Sequence, residues 1–150
     1  MQKLFTEMEK GMILNFKKLE YVADDLQPYE DTRLAIREGE EWRQVKGTAC
    51  YYVSSHGRVA VVERYAIMNN QKRKYQAKIL KQSKNRDGYL QINIGEGMGL
   101  QLVHRLVFEA FNGKIDDDKE IDHKNNNRAD NHVENLQQLT HRENILKKFI

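Results

Sequence analysis

The sequence predicts an α+β fold: a small antiparallel sheet followed by a helix and a C-terminal strand–strand–helix unit, with a short helical N-terminal arm. Three observations predict it. β-prone runs separated by glycine-bearing turns occupy residues 49–94. Leu102, Val103, Leu106, Val107, Ala110 and Phe111 then recur at steps of one and three, which places them on one face of a helix that Gly113 ends. Finally, Glu120–His123 and Asn135–Thr140 flank an Asn- and Asp-rich loop and lead into Arg142–Phe149, giving two strands and a helix.

The 150 residues suffice for about one domain with a single core. Charged Lys3, Glu7, Glu9 and Lys10 interrupt the N-terminus, and no stretch approaches the roughly 18 apolar residues of a membrane span, so a cytoplasmic protein with no membrane partner is expected. Cys50 is the single cysteine, which excludes an internal disulfide and a multi-cysteine zinc site; any metal must be held by oxygen and nitrogen. Residues 1–41 hold six basic and ten acidic side chains, whereas residues 42–150 hold nineteen and twelve. The body is therefore expected to meet a polyanion and the arm to do something else.

In chain order, Leu4, Phe5, Met8, Met12, Ile13, Phe16 and Leu19 predict one or two amphipathic helices within residues 1–22. Their apolar stripe would pack on the protein's own sheet or form a homodimer interface through the arm. After Pro28, residues 31–38 are expected to form another short helix, with a boundary at 39–41. The expected regions are thus an acidic, mostly helical arm (1–40), a small antiparallel β region expected to contact the polyanion (41–99) and a region that holds the helix and the strand–strand–helix unit (100–150). Ser54-Ser55-His56-Gly57 predicts a hairpin turn between 49–53 and 58–62, and Asp87-Gly88 a turn between strands at 75–80 and 89–94. Gly95–Gly99 lacks phosphate-loop spacing and reads as a turn; Asp116-Asp117-Asp118 reads as a solvated loop. Trp42 and Cys50 are expected in the core, and His56, His132 and His141 at the surface.

The chemistry concentrates after residue 119. His123 has a side chain that titrates near neutral pH and suits proton abstraction from water. Asp122 and Asn144 offer the hard oxygen donors that Mg²⁺ or Mn²⁺ prefers. Adjacent strand residues point to opposite faces, so the strand must end or twist at His123 if both are to serve one phosphate.

The pattern Ile121-Asp122-His123-Lys124, Asn125-Asn126-Asn127, Asp130-Asn131, Glu134-Asn135-Leu136, Thr140 and Glu143-Asn144, with Val103-His104-Arg105-Leu106-Val107 upstream, resembles the HNH endonucleases, in particular the homing branch of phages and mobile introns. Glu41-Trp42-Arg43-Gln44-Val45 and Tyr52–Val59 resemble the modular motif that often precedes HNH in those enzymes. The resemblance implies a ββα-metal unit and a metal-dependent DNA endonuclease that nicks DNA or cuts both strands. It implies His123 as general base, with Asn135 on the second strand fixing the His123 ring. Asp122 and Asn144 would be ligands of one divalent cation per active site, Mg²⁺ or Mn²⁺. Two positions depart from the pattern: Gln137-Gln138 stands where an aromatic is common, and Asn126 where glycine is common. Homing relatives often carry a helical DNA-reading module after HNH, whereas six residues follow Asn144 here. The alternative is a DNA-binding module whose HNH unit cuts little or not at all.

The expected partner is double-stranded DNA. Arg64, Lys72, Arg73, Lys74, Lys78, Lys81, Lys84 and Arg86 form a run without an acidic residue, suited to phosphates and to salt-sensitive binding. His104 and Arg105 complete the expected DNA-contacting set.

Overall fold

The computed structural model describes residues 21–22 and 26–149. Its strands are β1 (Tyr21–Val22), β2 (Ile36–Arg37), β3 (Trp42–Gln44), β4 (Tyr51–Ser54), β5 (Val59–Val61), β6 (Arg64–Met68), β7 (Gln71–Tyr75), β8 (Lys78–Ile79), β9 (Ser83–Lys84), β10 (Leu90–Ile94), β11 (Gly99–Leu102), β12 (Lys119–His123) and β13 (Leu136–Thr140). Its helices are α1 (Val103–Asn112) and α2 (His141–Lys147). The order is the expected α+β one, with antiparallel sheets β3-β4-β5-β8, β11-β10-β9, β6-β7 and β12-β13, and one short parallel pair, β1-β2.

Helix α1 is the hub. It leaves β11 directly and stops where Gly113 adopts φ 88°, a left-handed conformation that costs glycine least. Its Val103, Leu106, Val107, Phe108 and Ala110 join Val53 and Val59 of the β4-β5 hairpin, Leu90, Ile92 and Ile94 of β10, and Ile121 and Leu136 of the β12-β13 pair in one buried cluster. Complete burial of each large member is worth about 1.5–3 kcal/mol, so this cluster fixes the hairpin module against the C-terminal unit. Among the described residues, no helix is long and apolar enough to cross a membrane.

Several local expectations are corrected. Residues 31–38 are not a helix: a 3-10 turn at Pro28–Glu30 is followed by β2. Asp31, Arg37 and Glu40 are buried there as charge partners. The fully buried Arg58 donates through Nε and Nη2 to Glu40 at 2.8 and 2.6 Å, and Arg37 donates to Asp31 at 2.7 Å. A guanidinium without solvent needs such carboxylates.

The strand expected at 75–80 is split. β7 ends at Tyr75 and pairs back on β6, while β8 pairs with β5. Asn69 and Asn70, at φ 52° and 62°, make the two-residue turn of this ribbon, which suits the right-handed twist of paired strands. Cys50 is only partly buried, whereas Trp42 is 1% exposed, as core packing requires. The amphipathic stripe expected in the arm, with its proposed dimer role, lies outside the described residues up to residue 20.

Candidate active site

The β12-β13 hairpin and α2 enclose one side of a cleft of about 550 Å³, lined by Asp122, His123 and Asn144 together with Glu120, Tyr89 and Lys147. Strand β12 ends at His123, whose carbonyl accepts from Asn126 N at 2.9 Å to start the loop. Asp122 and His123 therefore both line the cleft although they are neighbours on a strand. Asn126 has φ 62°, the left-handed conformation that asparagine tolerates where a glycine is common. On the other side, Thr140 and Glu143 form a reciprocal capping box, each accepting from the other's backbone N–H at 3.0–3.1 Å. That cap fixes the start of α2 and thereby the face carrying Asn144 and Lys147, three residues apart.

His123 is 3% exposed, and its Nε2 meets Asn131 Oδ1 at 2.6 Å. An amide oxygen accepts, so Nε2 carries the proton and Nδ1 keeps a lone pair. Burial pushes the imidazole below its usual pKa, against the opposing pull of Asn131, Asp122 and Asp130, and this favours the neutral form. The residue that meets the ring is Asn131; Asn135 is placed elsewhere. Asn135 lies just before β13, where its Nδ2 donates to Asn125 Oδ1 at 3.0 Å and to the Asp130 carbonyl at 2.8 Å, and its Oδ1 accepts from Asn125 N at 3.1 Å. It staples the loop whose far side delivers Asn131.

Asp122 is 8% exposed, and its Oδ2 accepts from Gln137 Nε2 at 2.9 Å and Lys147 Nζ at 2.7 Å. Gln137, a departure from the family pattern, thus positions the carboxylate. Asn144 Nδ2 donates to Glu120 Oε1 at 2.6 Å, which leaves its own carbonyl oxygen as an acceptor. The donors gathered here are oxygens: two carboxylates, two side-chain amides and the His123 carbonyl. They fit a hard cation such as Mg²⁺, which takes one or two carboxylates and keeps several waters. Among the described residues no group of three His, Cys, Asp or Glu is assembled, so amide and backbone oxygens would have to complete such a site.

His104 does not sit at the surface where a DNA contact would need it. It is 6% exposed, with its ring 5.3 Å from that of His123 and 5.1 Å from that of Tyr89. Burial, helped by His123 and Arg105, pushes its pKa down to about 3. Between the unfolded value of 6.5 and about 3 the unfolded chain takes up a proton that the folded one refuses, so stability falls as the pH falls through that window. The expected loss from this group is about 1.4 kcal/mol per pH unit. Urea titrations from pH 7 to 4.5 check it: the stability gap between wild type and His104→Gln should narrow on acidification, and a constant gap would reject the assignment.

The basic run divides by position. Arg64 lies on β6, and Lys72, Arg73 and Lys74 on β7, all three of the latter exposed. Lys78, Lys81, Lys84 and Arg86 follow, also exposed. Arg64 lies over Tyr75 and Lys72 over Tyr65, at 5.1 and 4.4 Å, while Lys74 is engaged by Glu63 at 3.1 Å. Arg105 is exposed on α1. Two further cations, Arg128 and Lys148, line the cleft, and Arg128 reaches the Asp87 carbonyl at 2.6 Å and lies over Tyr89 at 4.7 Å. Of the histidines expected at the surface, His141 is exposed, but His56 and His132 are half-buried, their ring centroids 4.8 Å apart.

Glu120, Asn131, Gln137 and Lys147 are the site residues that sequence reasoning missed. Glu120 left a signal by sharing a strand face with Asp122 two positions on, and Asn131 and Gln137 stand in the motif stretch without a role read for them.

Residues 101–146 match the HNH endonuclease family, and residues 40–95 match the NUMOD4 motif. The uncharacterized gene 5.3 protein of Enterobacteria phage T3 is 38% identical over 68 residues, spanning 43% of this chain and 67% of that protein. The solved structure of the HNH homing endonuclease I-HmuI, described for DNA binding and cleavage, superimposes with a TM-score of 0.56 at 30% identity. That match covers 73% of this chain and 57% of I-HmuI, so the chain spans little more than half that enzyme's length. With both motifs in the expected order and the ββα geometry in place, the chain belongs to the HNH endonuclease family.

Proposed function

We propose that this protein is a metal-dependent HNH endonuclease that hydrolyses phosphodiester bonds of double-stranded DNA, of the phage or mobile-element homing type. The observation that carries the reading is the pairing, in one cleft, of a buried imidazole committed through Nε2 to Asn131 with the oxygen donors Asp122 and Asn144.

In this reading His123 Nδ1 takes a proton from water as the water oxygen attacks phosphorus and the P–O bond to the leaving oxygen breaks. Asp122 and Asn144 would hold one Mg²⁺ or Mn²⁺, which when bound would supply Lewis acidity to the phosphate. Asn131 holds the imidazole tautomer, and Gln137 holds Asp122 in place. Asn135 acts on the base only through the loop it closes. Arg128 and Lys148 at the cleft, together with the basic ribbon, suit the phosphates on either side of the cut. The homing assignment draws on the upstream NUMOD4 motif and the likeness to I-HmuI.

The test is incubation of supercoiled plasmid with Mg²⁺ or Mn²⁺ and with EDTA. Nicked or linear product that depends on the ion is the expected result. DNA that is bound but uncut with either ion, phage genomic DNA included, would replace the enzyme with a DNA-binding module carrying a degenerate HNH site.

A further inference from the structure

Lys147 makes the densest set of polar contacts in the cleft, and nothing in the reaction above uses it. Its ammonium donates to Asp122 Oδ2 at 2.7 Å, to the His123 carbonyl at 2.8 Å and to Asn126 Oδ1 at 2.9 Å. An ammonium has three donors, so all are engaged. The three acceptors come from the end of β12 and from the loop, and each is a hard oxygen of the kind that a divalent cation takes. Lys147 also stands one turn after Asn144, on the same face of α2.

From this geometry, and resting on the metal-dependent reading above, we propose that Lys147 is the resident cation of the metal-free site, which a divalent ion must displace. An ammonium and a divalent ion cannot both occupy the position facing Asp122 Oδ2, since charge repulsion adds to the overlap. The lysine stem is long and half-buried, with 24% of the side chain exposed, so its head can swing to the cleft mouth without moving α2. Apparent metal affinity then equals intrinsic affinity scaled by the fraction of molecules whose lysine is already out. The device keeps Asp122 from lying uncompensated when no metal is bound, and it makes the protein respond to ion concentration.

If the lysine is out about one time in ten, Lys147→Met should bind Mn²⁺ about tenfold more tightly than wild type. Methionine keeps most of the stem and removes the charge. The affinity is read by titration calorimetry on the full chain at low salt, with circular dichroism to show that the variant is folded. The same variant should melt lower than wild type in EDTA and gain more in Tm on Mn²⁺ saturation. A measurement on the wild type stands beside the variant: the Lys147 Cε carbon signal should shift when Mg²⁺ saturates the site.

A wild type that binds Mn²⁺ while Lys147→Met binds it equally or more weakly overturns the proposal and leaves the metal-dependent reading intact. An unmoved Lys147 signal at Mg²⁺ saturation does the same. Absence of Mn²⁺ binding by both proteins overturns the metal-dependent reading and the lysine proposal with it.

Discussion

Replacing His123 with alanine is expected to lower the rate of plasmid nicking by about 10²- to 10⁴-fold, the usual worth of a positioned general base, and to leave DNA affinity within about twofold of wild type. The size of the effect follows from the ring's setting. Nε2 is committed to Asn131 at 2.6 Å, so one nitrogen is left to take a proton, and burial favours the form with a lone pair on it. The sign of the pH dependence follows as well: the base is competent when neutral, and a pKa below 6.5 keeps it so throughout the neutral range. The rate should therefore stay level on the acid side until the pH drops below the ordinary histidine range. Single-turnover nicking measured with the variant, under conditions where both proteins are folded and fully bound to DNA, checks the claim. A His123→Ala protein that nicks at the wild-type rate would remove His123 from the chemistry.

The parts of this fold that were legible in the sequence are those where one periodicity dominates. Helix α1 could be read because six apolar residues share one face and a glycine follows. The β12-β13-α2 unit could be read because the Asn- and Asp-rich turn chemistry between its two strands is local. The β6-β7 ribbon could not, because it projects from the core: Tyr65 and Ile67 are 58% and 77% exposed, so no alternation of apolar and polar residues marks the pairing. Residues 31–40 misled for the opposite reason. Asp31 and Arg37 stand in a stretch that reads as a short helix, but they and Glu40 are buried as partners in a network organised by Arg58, whose burial is a tertiary fact.

The site divides in the same way. Asp122, His123 and Asn144 stand in local motifs and do come to one cleft. The identity of the asparagine that meets the imidazole was not legible, because Asn131 and Asn135 both lie near the end of one loop and only its closure decides which faces the ring. Lys147 in the last turn of a helix reads as an ordinary complement to the helix dipole; nothing local tells that its ammonium reaches across to β12.

A second large effect is expected far from the chemistry in sequence, at Gly57. This residue turns the β4-β5 hairpin at φ 91° and lies against the loop that carries Asn131: an added Cβ would come within 2.8 Å of Asn131 Cβ and 3.1 Å of the Asn131 carbonyl oxygen. Neighbouring contacts leave the turn little room to retreat. Val133 N donates to the Ser55 carbonyl at 2.9 Å, and Gln82 Nε2 donates to the Gly57 carbonyl at 2.8 Å. Gly57→Ala must then bear a left-handed backbone and an overpacked contact together, at a combined cost of about 2–4 kcal/mol. Urea denaturation should show the midpoint falling with an unchanged slope, since the folded core is the same. Because the displaced residue is Asn131, the damage should extend to the imidazole it holds, and nicking by the fraction that remains folded should slow while DNA affinity holds. A variant with wild-type stability would mean that hairpin and loop separate at no cost. The upstream module would then be a DNA-contacting attachment, whereas the contacts of Gly57 make it the wall against which Asn131, the partner of the His123 ring, is set.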